Sequence, residues 1–356
     1  MPTLLLDGRL TAVTPIAIIL PASEDGRTPA GAPHKRLLRD GIMSETVYVP
    51  PSSLRGRLRH LLTTEVMRLQ HVADGRVFTP DDYIDTALGG VKDRKAEGED
   101  ERRVDLRAIR ELRQSNPIVS MFGSMVSQVS GRLMVGDMTP EESVMPTNTG
   151  RSVRANPFVR NPAVIELLDR DRFDEFNRLN DLRTQANRDE DAAQRLRRTQ
   201  AARKRAGAEQ AEIAEIEAKA AALEQAKEAG FRRAGGAVNI QQLLDGYDVI
   251  PEGTAMVNRI RLVEGTDVEL ALLLLALDLL AKRPLLGGHL AHGCGEITGA
   301  WRARIRDADG LRDAGSVRLD PFTGLVLEAP DAALDAAFRR ALTFGNEVAE
   351  YSFCAA

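Results

Sequence analysis

Apolar and polar positions set out a series of short elements. Thr3 to Leu20 is rich in Leu, Thr, Val and Ile and predicts one or two strands. Residues 21–44 carry Gly, Pro and charge and predict a loop. Val47-Tyr48-Val49 predicts a short strand that stops at Pro50-Pro51, after which Ser52-Ser53 opens a helix. Leu54, Leu58, Leu61, Leu62, Val66 and Leu69 recur at helical spacing along one face of it. Gly89 to Gln114 is densely charged and predicts a surface loop with a short helix. Gly131 to Met138 alternates as a strand does.

The pattern then changes. From Ala163 to Gly230 the chain is Ala, Glu, Gln, Arg and Lys with few large apolar residues, which predicts two or three helices broken near Gly207 and Gly230. Globular character returns with a strand over Ala255 to Val263. A helix capped by Thr266 follows, over Asp267 to Lys282. A glycine-rich loop spans Gly287 to Gly295, a strand Ile297 to Ile305, and an amphipathic helix Asp331 to Tyr351. With the insert set aside, the order is β–α–β twice. That is the α+β, ferredoxin-like plan, with one sheet face under two helices and the other open. The expected divisions are residues 1–145, the first part of this fold; 146–250, the helical insertion with an extension; and 251–356, its second part.

Composition narrows the partners. The chain has 356 residues, 43% of them hydrophobic and 28% charged, so a packed core is expected. With 48 basic and 52 acidic residues and a net charge of −4, any nucleic-acid site has to be a local basic groove. Aromatic residues are 4%, too few for base stacking to be the main mode on an open sheet face. Cys294 and Cys354 form no disulfide framework and have no partners at metal-ligand spacing, so no cofactor is expected. The apolar stretch Leu270 to Ala281 is too short to span a bilayer and holds Asp278, which reads as a buried helix. Met1 to Leu20 lacks the early positive charge of a signal peptide. The expected compartment is the cytoplasm, without a membrane.

Three stretches carry candidate chemistry. The first is Val49-Pro50-Pro51-Ser52-Ser53-Leu54-Arg55-Gly56-Arg57-Leu58-Arg59. Free N–H groups at a helix start attract phosphate, and the hydroxyls of Ser52 and Ser53 add donors. Arg55 and Arg59, four apart, share a face that would track a phosphate chain. The plainer reading is a serine cap with a solvated arginine face. The second is Leu286-Gly287-Gly288-His289-Leu290-Ala291-His292-Gly293-Cys294-Gly295, whose backbone N–H groups suit a phosphate cradle, or which is a mere turn. The third is the arginines bordering the insert: Arg151, Arg154 and Arg160 before it, Arg232 and Arg233 after it. They form one patch if the two stems lie side by side, and are otherwise solvated surface. No nucleotide-hydrolysing phosphate loop, GxSxG elbow or HExxH is present.

Together these stretches resemble the RAMP superfamily of CRISPR proteins. PPSSLRGRLR resembles that family's I-P-G-S-S-L-K-G-x-L-R hallmark, and Phe122-Gly123 its L-F-G element. GRLMVGDM resembles its S-R-L-x-x-x-D-A strand, and LLGGHLAHGCGEITG its terminal G-G-x-x-S-R-G-x-G loop. All four occur in the family's order between residues 49 and 299. The resemblance is greatest to the group-seven backbone subunits, which polymerise along a guide RNA. It implies a modified RNA-recognition-motif palm with a helical insertion and a thumb-like extension. It further implies that Ser52, Ser53, Arg55, Arg59, Gly287, Gly288, His289 and His292 contact RNA. Arg151, Arg154, Arg160, Arg232 and Arg233 would stand on or near the thumb stems. The implied partners are single-stranded RNA, further copies of the chain in a helical filament, and other CRISPR effector subunits.

The departures point to the type IV branch. Type III relatives carry a catalytic aspartate six residues before a K/R-D pair. Counting back from Arg39-Asp40 gives His34 instead. Pro51 replaces a glycine, and Leu290-Ala291-His292 stands where Ser-Arg is usual. The resulting expectation is a non-catalytic filament subunit. The alternative is a type III-like, metal-dependent endoribonuclease that cuts target RNA at regular intervals.

Overall fold

The computed structural model describes residues 1–18, 31–90, 106–150, 152–154, 166–205, 209–235, 242–244 and 246–353. The chain divides into two compact units, one of residues 1–149 with 247–356 and one of residues 150–246.

The larger unit begins with β1 (Thr3–Ala12), β2 (His34–Arg39), β3 (Ile42–Val47), α1 (Pro51–Asp74), α2 (Pro80–Leu88), α3 (Leu106–Ser115), α4 (Pro117–Phe122), β4 (Leu133–Val135), β5 (Thr139–Pro140) and β6 (Thr147–Asn148). The smaller unit holds β7 (Ser152–Arg154), α5 (Arg170–Arg205), α6 (Gln210–Ala234) and β8 (Gln242–Leu244). The chain then completes the larger unit with β9 (Asp248–Val249), β10 (Ala255–Leu262), α7 (Asp267–Lys282), β11 (Ile297–Asp307), β12 (Gly310–Asp320), β13 (Gly324–Glu328) and α8 (Ala332–Leu342).

The larger unit is a mixed α/β fold on one antiparallel sheet, in the order β13-β12-β11-β1-β10-β4, with β5 beside β10. β1 is central, Leu6 facing Ile260 on one side and Ala303 on the other. Alternation decides what each face meets. Leu4, Leu6 and Leu10 of β1, Met256, Ile260 and Leu262 of β10, and Trp301, Ala303 and Ile305 of β11 are buried in one core with α1 and α7. Intervening positions such as Arg259, Arg261, Arg302 and Arg306 remain exposed.

Three polar residues inside this core are held by partners: Asn258, Asp278 and Glu269. Asn258 accepts from Trp301 Nε1 at 3.1 Å. Asp278, the one charge in the apolar stretch Leu270 to Ala281 of α7, accepts from the Leu325 N–H at 2.9 Å and pairs with Lys282 at 2.7 Å. Thr266 caps α7 with a reciprocal Thr266–Glu269 box, and Glu269 also takes Arg132 at 2.8 Å. That ion pair ties the start of α7 to the chain entering β4. Among the described residues no helix is long and apolar enough to cross a membrane.

Several sequence expectations are revised. The stretch read as a loop over 21–44 contains the β2–β3 hairpin in its described part, turned at Asp40-Gly41, with φ positive at both residues. The predicted strand over 3–20 ends at Ala12, with isolated bridges at Ile16 and Ala17; residues 19 and 20 lie outside the described part. α1 opens at Pro51 with Pro50 at the cap, so neither serine caps it. The strand over 131–138 is confined to 133–135, with an isolated bridge from Met138 to Val49, and the helix expected over 331–351 stops at Leu342 and continues as two 3₁₀ turns. α2, β12 and β13 are additional.

The smaller unit is a helical hairpin. Ala186, Ala193 and Ala220 are buried in it, and Lys227–Glu190 at 2.6 Å and Arg197–Glu224 at 2.5 Å bridge the two helices. Gly230, expected to break a helix, lies within α6 against α5, where a Cβ would stand 2.9 Å from that of Ala186. Gly207 lies outside the described residues. β7 pairs antiparallel with β8, Ser152 opposite Leu244, so the two stems of the insert run side by side.

The larger unit closes its own ends. The Thr149 N–H donates to the Tyr247 carbonyl at 3.0 Å, and the Tyr247 N–H to Thr149 Oγ1 at 3.1 Å. Replacing residues 150–246 with a short glycine–serine linker is therefore expected to leave one cooperative thermal transition, measured by circular dichroism. Loss of that transition would place the hairpin in the core.

Candidate nucleic-acid interface

The first motif is placed by its prolines. Pro51 supplies no N–H and fixes φ for the first helical turn. Ser52 is exposed and Ser53 half-buried, and the Ser53 N–H reaches the Pro50 carbonyl at 3.0 Å. The first turn of α1 holds no acidic residue, whereas α2 begins with Asp81 and Asp82, and α7 with Asp267 and Glu269. The positive end of the α1 dipole is thus left without a carboxylate of its own.

The glycine-rich loop is clasped against the chain leaving β1. The Gly288 N–H donates to the Ala17 carbonyl at 2.8 Å and the Gly295 N–H to the Pro15 carbonyl at 2.9 Å. Gly287 takes φ +91°, and a Cβ there would stand 2.6 Å from the Ala17 oxygen. Gly295 takes φ +92°, with the Leu286 oxygen 2.4 Å from where its Cβ would be. This packing brings the two motifs together. One open hollow is lined by Ala17, Ile18, Ser53, Gly287, Gly288 and His289, none of them acidic.

The arginines divide by face. Arg59 is 5% exposed. Its Nε donates to the Thr86 carbonyl at 2.6 Å and its Nη2 to the Asp85 carbonyl at 3.0 Å, at the end of α2. Its guanidinium also sits 5.7 Å from the centre of the Phe122 ring. Burial first, then the neighbouring Arg55 charge, pushes its pKa down to about 10. The expectation that Arg59 tracks a phosphate chain is corrected: it holds α1 to α2. Arg55 is half-buried and donates to the Phe122 carbonyl, so the Phe122-Gly123 element is where this arginine is anchored.

The residue that follows Ser53 by one turn is Arg57. Its Nε is buried without a hydrogen-bond partner among the described residues. Burial, and then the charge of Arg283, lower its pKa. Arg283 ends α7, four residues before Gly287, and is exposed. Two guanidiniums therefore repel each other beside the helix and loop that form the hollow. Arg57 and Arg283 were both passed over in the sequence. The signal for Arg57 was its i+4 relation to Ser53, which sets it on a different face from Arg55 and Arg59.

The histidines form a row of rings. His289 stacks on Tyr247 with centroids 3.9 Å apart and planes 15° from parallel, and His292 follows at 5.6 Å. His289 holds the left-handed conformation, φ +54°, unusual for a residue with a side chain. Cys294 is buried and faces the Tyr247 hydroxyl at 3.7 Å. Among the described residues no group of three or more His, Cys, Asp or Glu could hold a metal ion.

The remaining candidates are placed as follows. Arg232 and Arg233 are exposed in the last turn of α6. Arg154 ends β7, where the described backbone stops. Arg151 and Arg160 lie outside the described residues. His34 is exposed at the start of β2, while Asp40 sits in the turn at its other end, roughly 20 Å along an extended strand.

No protein-family model matches the chain, and no curated protein matches it. It is similar to a chain of a type IV-B CRISPR complex at 16% sequence identity and a TM-score of 0.39, covering 88% of this chain and 92% of that one. It is similar to Csc2 of Thermofilum pendens at 12% identity and a TM-score of 0.34, covering 98% of this chain and 76% of that one. Csm3 of Methanopyrus kandleri follows at 15% identity and a TM-score of 0.34, covering 87% of this chain and 79% of that one.

Proposed function

We propose that the chain is a non-catalytic, RNA-binding backbone subunit that polymerises along a guide RNA in a type IV-like CRISPR ribonucleoprotein. On this reading the larger unit is a ferredoxin-like palm whose four strands, in chain order, are β1, β4, β10 and β11. The smaller unit is the helical insertion, and the arginines at its stems belong to the thumb. The observation that carries the reading is the hollow that unites Ser53 at the start of α1 with Gly287, Gly288 and His289. A helix start without acidic residues and two arginines without a carboxylate partner among the described residues favour a phosphate there. Ser52, Arg55 and His292 stay in the proposed set, and Arg57 and Arg283 join it. Arg59 leaves it.

Contacts of this kind go to phosphate and sugar, so binding is expected to be nearly independent of sequence and to weaken steeply with salt. The test is to titrate oligoribonucleotides of different sequence at several salt concentrations, and to image the protein on long RNA by electron microscopy. Rods whose length scales with RNA length are expected. Closed monomers or dimers on long RNA would sink the filament reading. In the same preparation, labelled complementary RNA incubated with magnesium or manganese is expected to stay intact. A regular ladder of products that His34→Ala abolishes would make the protein an endoribonuclease.

A further inference from the structure

Composition argued against base stacking as the main mode of binding, yet the fold gathers three flat rings, of which His289 lines the hollow. Tyr247 comes from the chain just before β9, and His289 and His292 from the glycine-rich loop. Tyr247 and His289 lie nearly parallel at 3.9 Å. His289 is exposed and lines the hollow beside Ser53, Gly287 and Gly288. Its backbone is held left-handed to put the ring there, at a position where glycine or asparagine would be relaxed. Tyr247 is anchored from behind by its contact with buried Cys294.

Resting on the RNA-binding reading, we propose that this hollow seats one unstacked RNA base against the His289 ring, continuing the Tyr247–His289 stack, with His292 at its side. Imidazole and phenol rings are among the surfaces on which single-stranded bases stack. Stacking accepts every base, because each presents a π-face, so the seat fits a subunit that binds without regard to sequence. The neighbouring glycines leave the backbone bare where the ribose and phosphate of the same nucleotide would lie. The seat thus gives each subunit a fixed grip on one nucleotide, which phosphate contacts alone do not provide.

The experiment is a thermodynamic cycle between the base and the ring, read by fluorescence anisotropy with the full-length protein. The probes are an oligouridine and a ribose-phosphate oligomer of the same length without bases. A third oligomer carries 2-aminopurine and reports stacking by quenching. The variants are His289→Asn, which suits the left-handed backbone but has no ring, and His289→Phe, which keeps a flat ring. The wild type is expected to bind the abasic oligomer about tenfold more weakly than oligouridine and to quench 2-aminopurine. His289→Asn should bind the two oligomers about equally and lose the quenching, and His289→Phe should keep both effects. Equal affinity of the wild type for both oligomers overturns the seat and leaves the RNA-binding reading standing. So does an undiminished difference in His289→Asn. Failure of the wild type to bind any of the oligomers overturns the RNA-binding reading, and the seat with it.

Discussion

Replacing Arg57 and Arg283 together with alanine is expected to weaken RNA binding roughly a hundredfold at physiological salt, taking ~1.5 kcal/mol for each charge-assisted contact. The fold should survive, because neither guanidinium has an ion-pair partner among the described residues to lose. Arg57 already bears a buried Nε without an acceptor and the repulsion of its neighbour. Removing the pair therefore relieves a local strain of like charges as it removes the proposed anion site. The logarithmic salt slope for single-stranded RNA should fall by about 1.4, two phosphates at ~0.7 each. Isothermal titration over a series of salt concentrations, with thermal melts alongside, measures both quantities. Unchanged affinity and slope in a folded double variant would remove these arginines from the interface. A drop confined to one RNA sequence would contradict contacts to phosphate.

Arg59→Ala is expected to act on stability instead. The Arg59 guanidinium donates to the carbonyls of Asp85 and Thr86 and lies over Phe122. Alanine leaves the end of α2 without its charged donor and leaves a gap under the ring. Two charge-assisted bonds at ~1.5 kcal/mol each suggest about 3 kcal/mol. For a unit of this size that is roughly 6–9 °C in Tm. Arg59→Lys should recover part of it, since one ammonium group does not match the planar fork that serves both carbonyls. The discriminating readout is the salt slope of RNA binding below the melting temperature. An unchanged slope marks a positioning residue, whereas a slope lowered by ~0.7 at unchanged Tm would return Arg59 to the RNA.

The contrast between Arg57 and Arg59 shows what local spacing leaves open. Helical periodicity puts Arg55 and Arg59 on one face and Ser53 and Arg57 on another, and that much can be read from the sequence. Which face meets solvent depends on α2, whose C-terminal carbonyls lie where Arg59 reaches them. The sequence signal for α2 is the box Thr79-Pro80-Asp81-Asp82, a capping motif ahead of too short an apolar run to stand out. The β2–β3 hairpin was legible in the same way, through Asp40-Gly41 between two stretches of strand-like residues. The charge around it argued for a loop because a two-stranded ribbon need not bury either face.

Long, strongly patterned elements were determined by the sequence alone. The helix Asp267–Lys282 and its Thr266 cap follow from an apolar stretch broken only by Asp278 and a reciprocal box whose hydrogen bonds are local. The strand positions over 297–305 follow from alternation, whereas over 255–263 the sequence marks a strand but the fold buries Asn258 and exposes Val257. The helical character of the insert follows from its composition. The glycines of residues 287–295 announced a loop that needs positive φ and close backbone approach, and Gly287 and Gly295 have both. What tertiary structure decided is everything that depends on residues far apart in the chain. It brought Ser53 to Gly287, Arg57 to Arg283, and Tyr247 to His289, pairs that no local rule relates, because sheet order and helix packing set those distances. It also decided that Gly230 packs on Ala186 rather than ending a helix, since a missing side chain reads the same in sequence whether it breaks a helix or admits a neighbour.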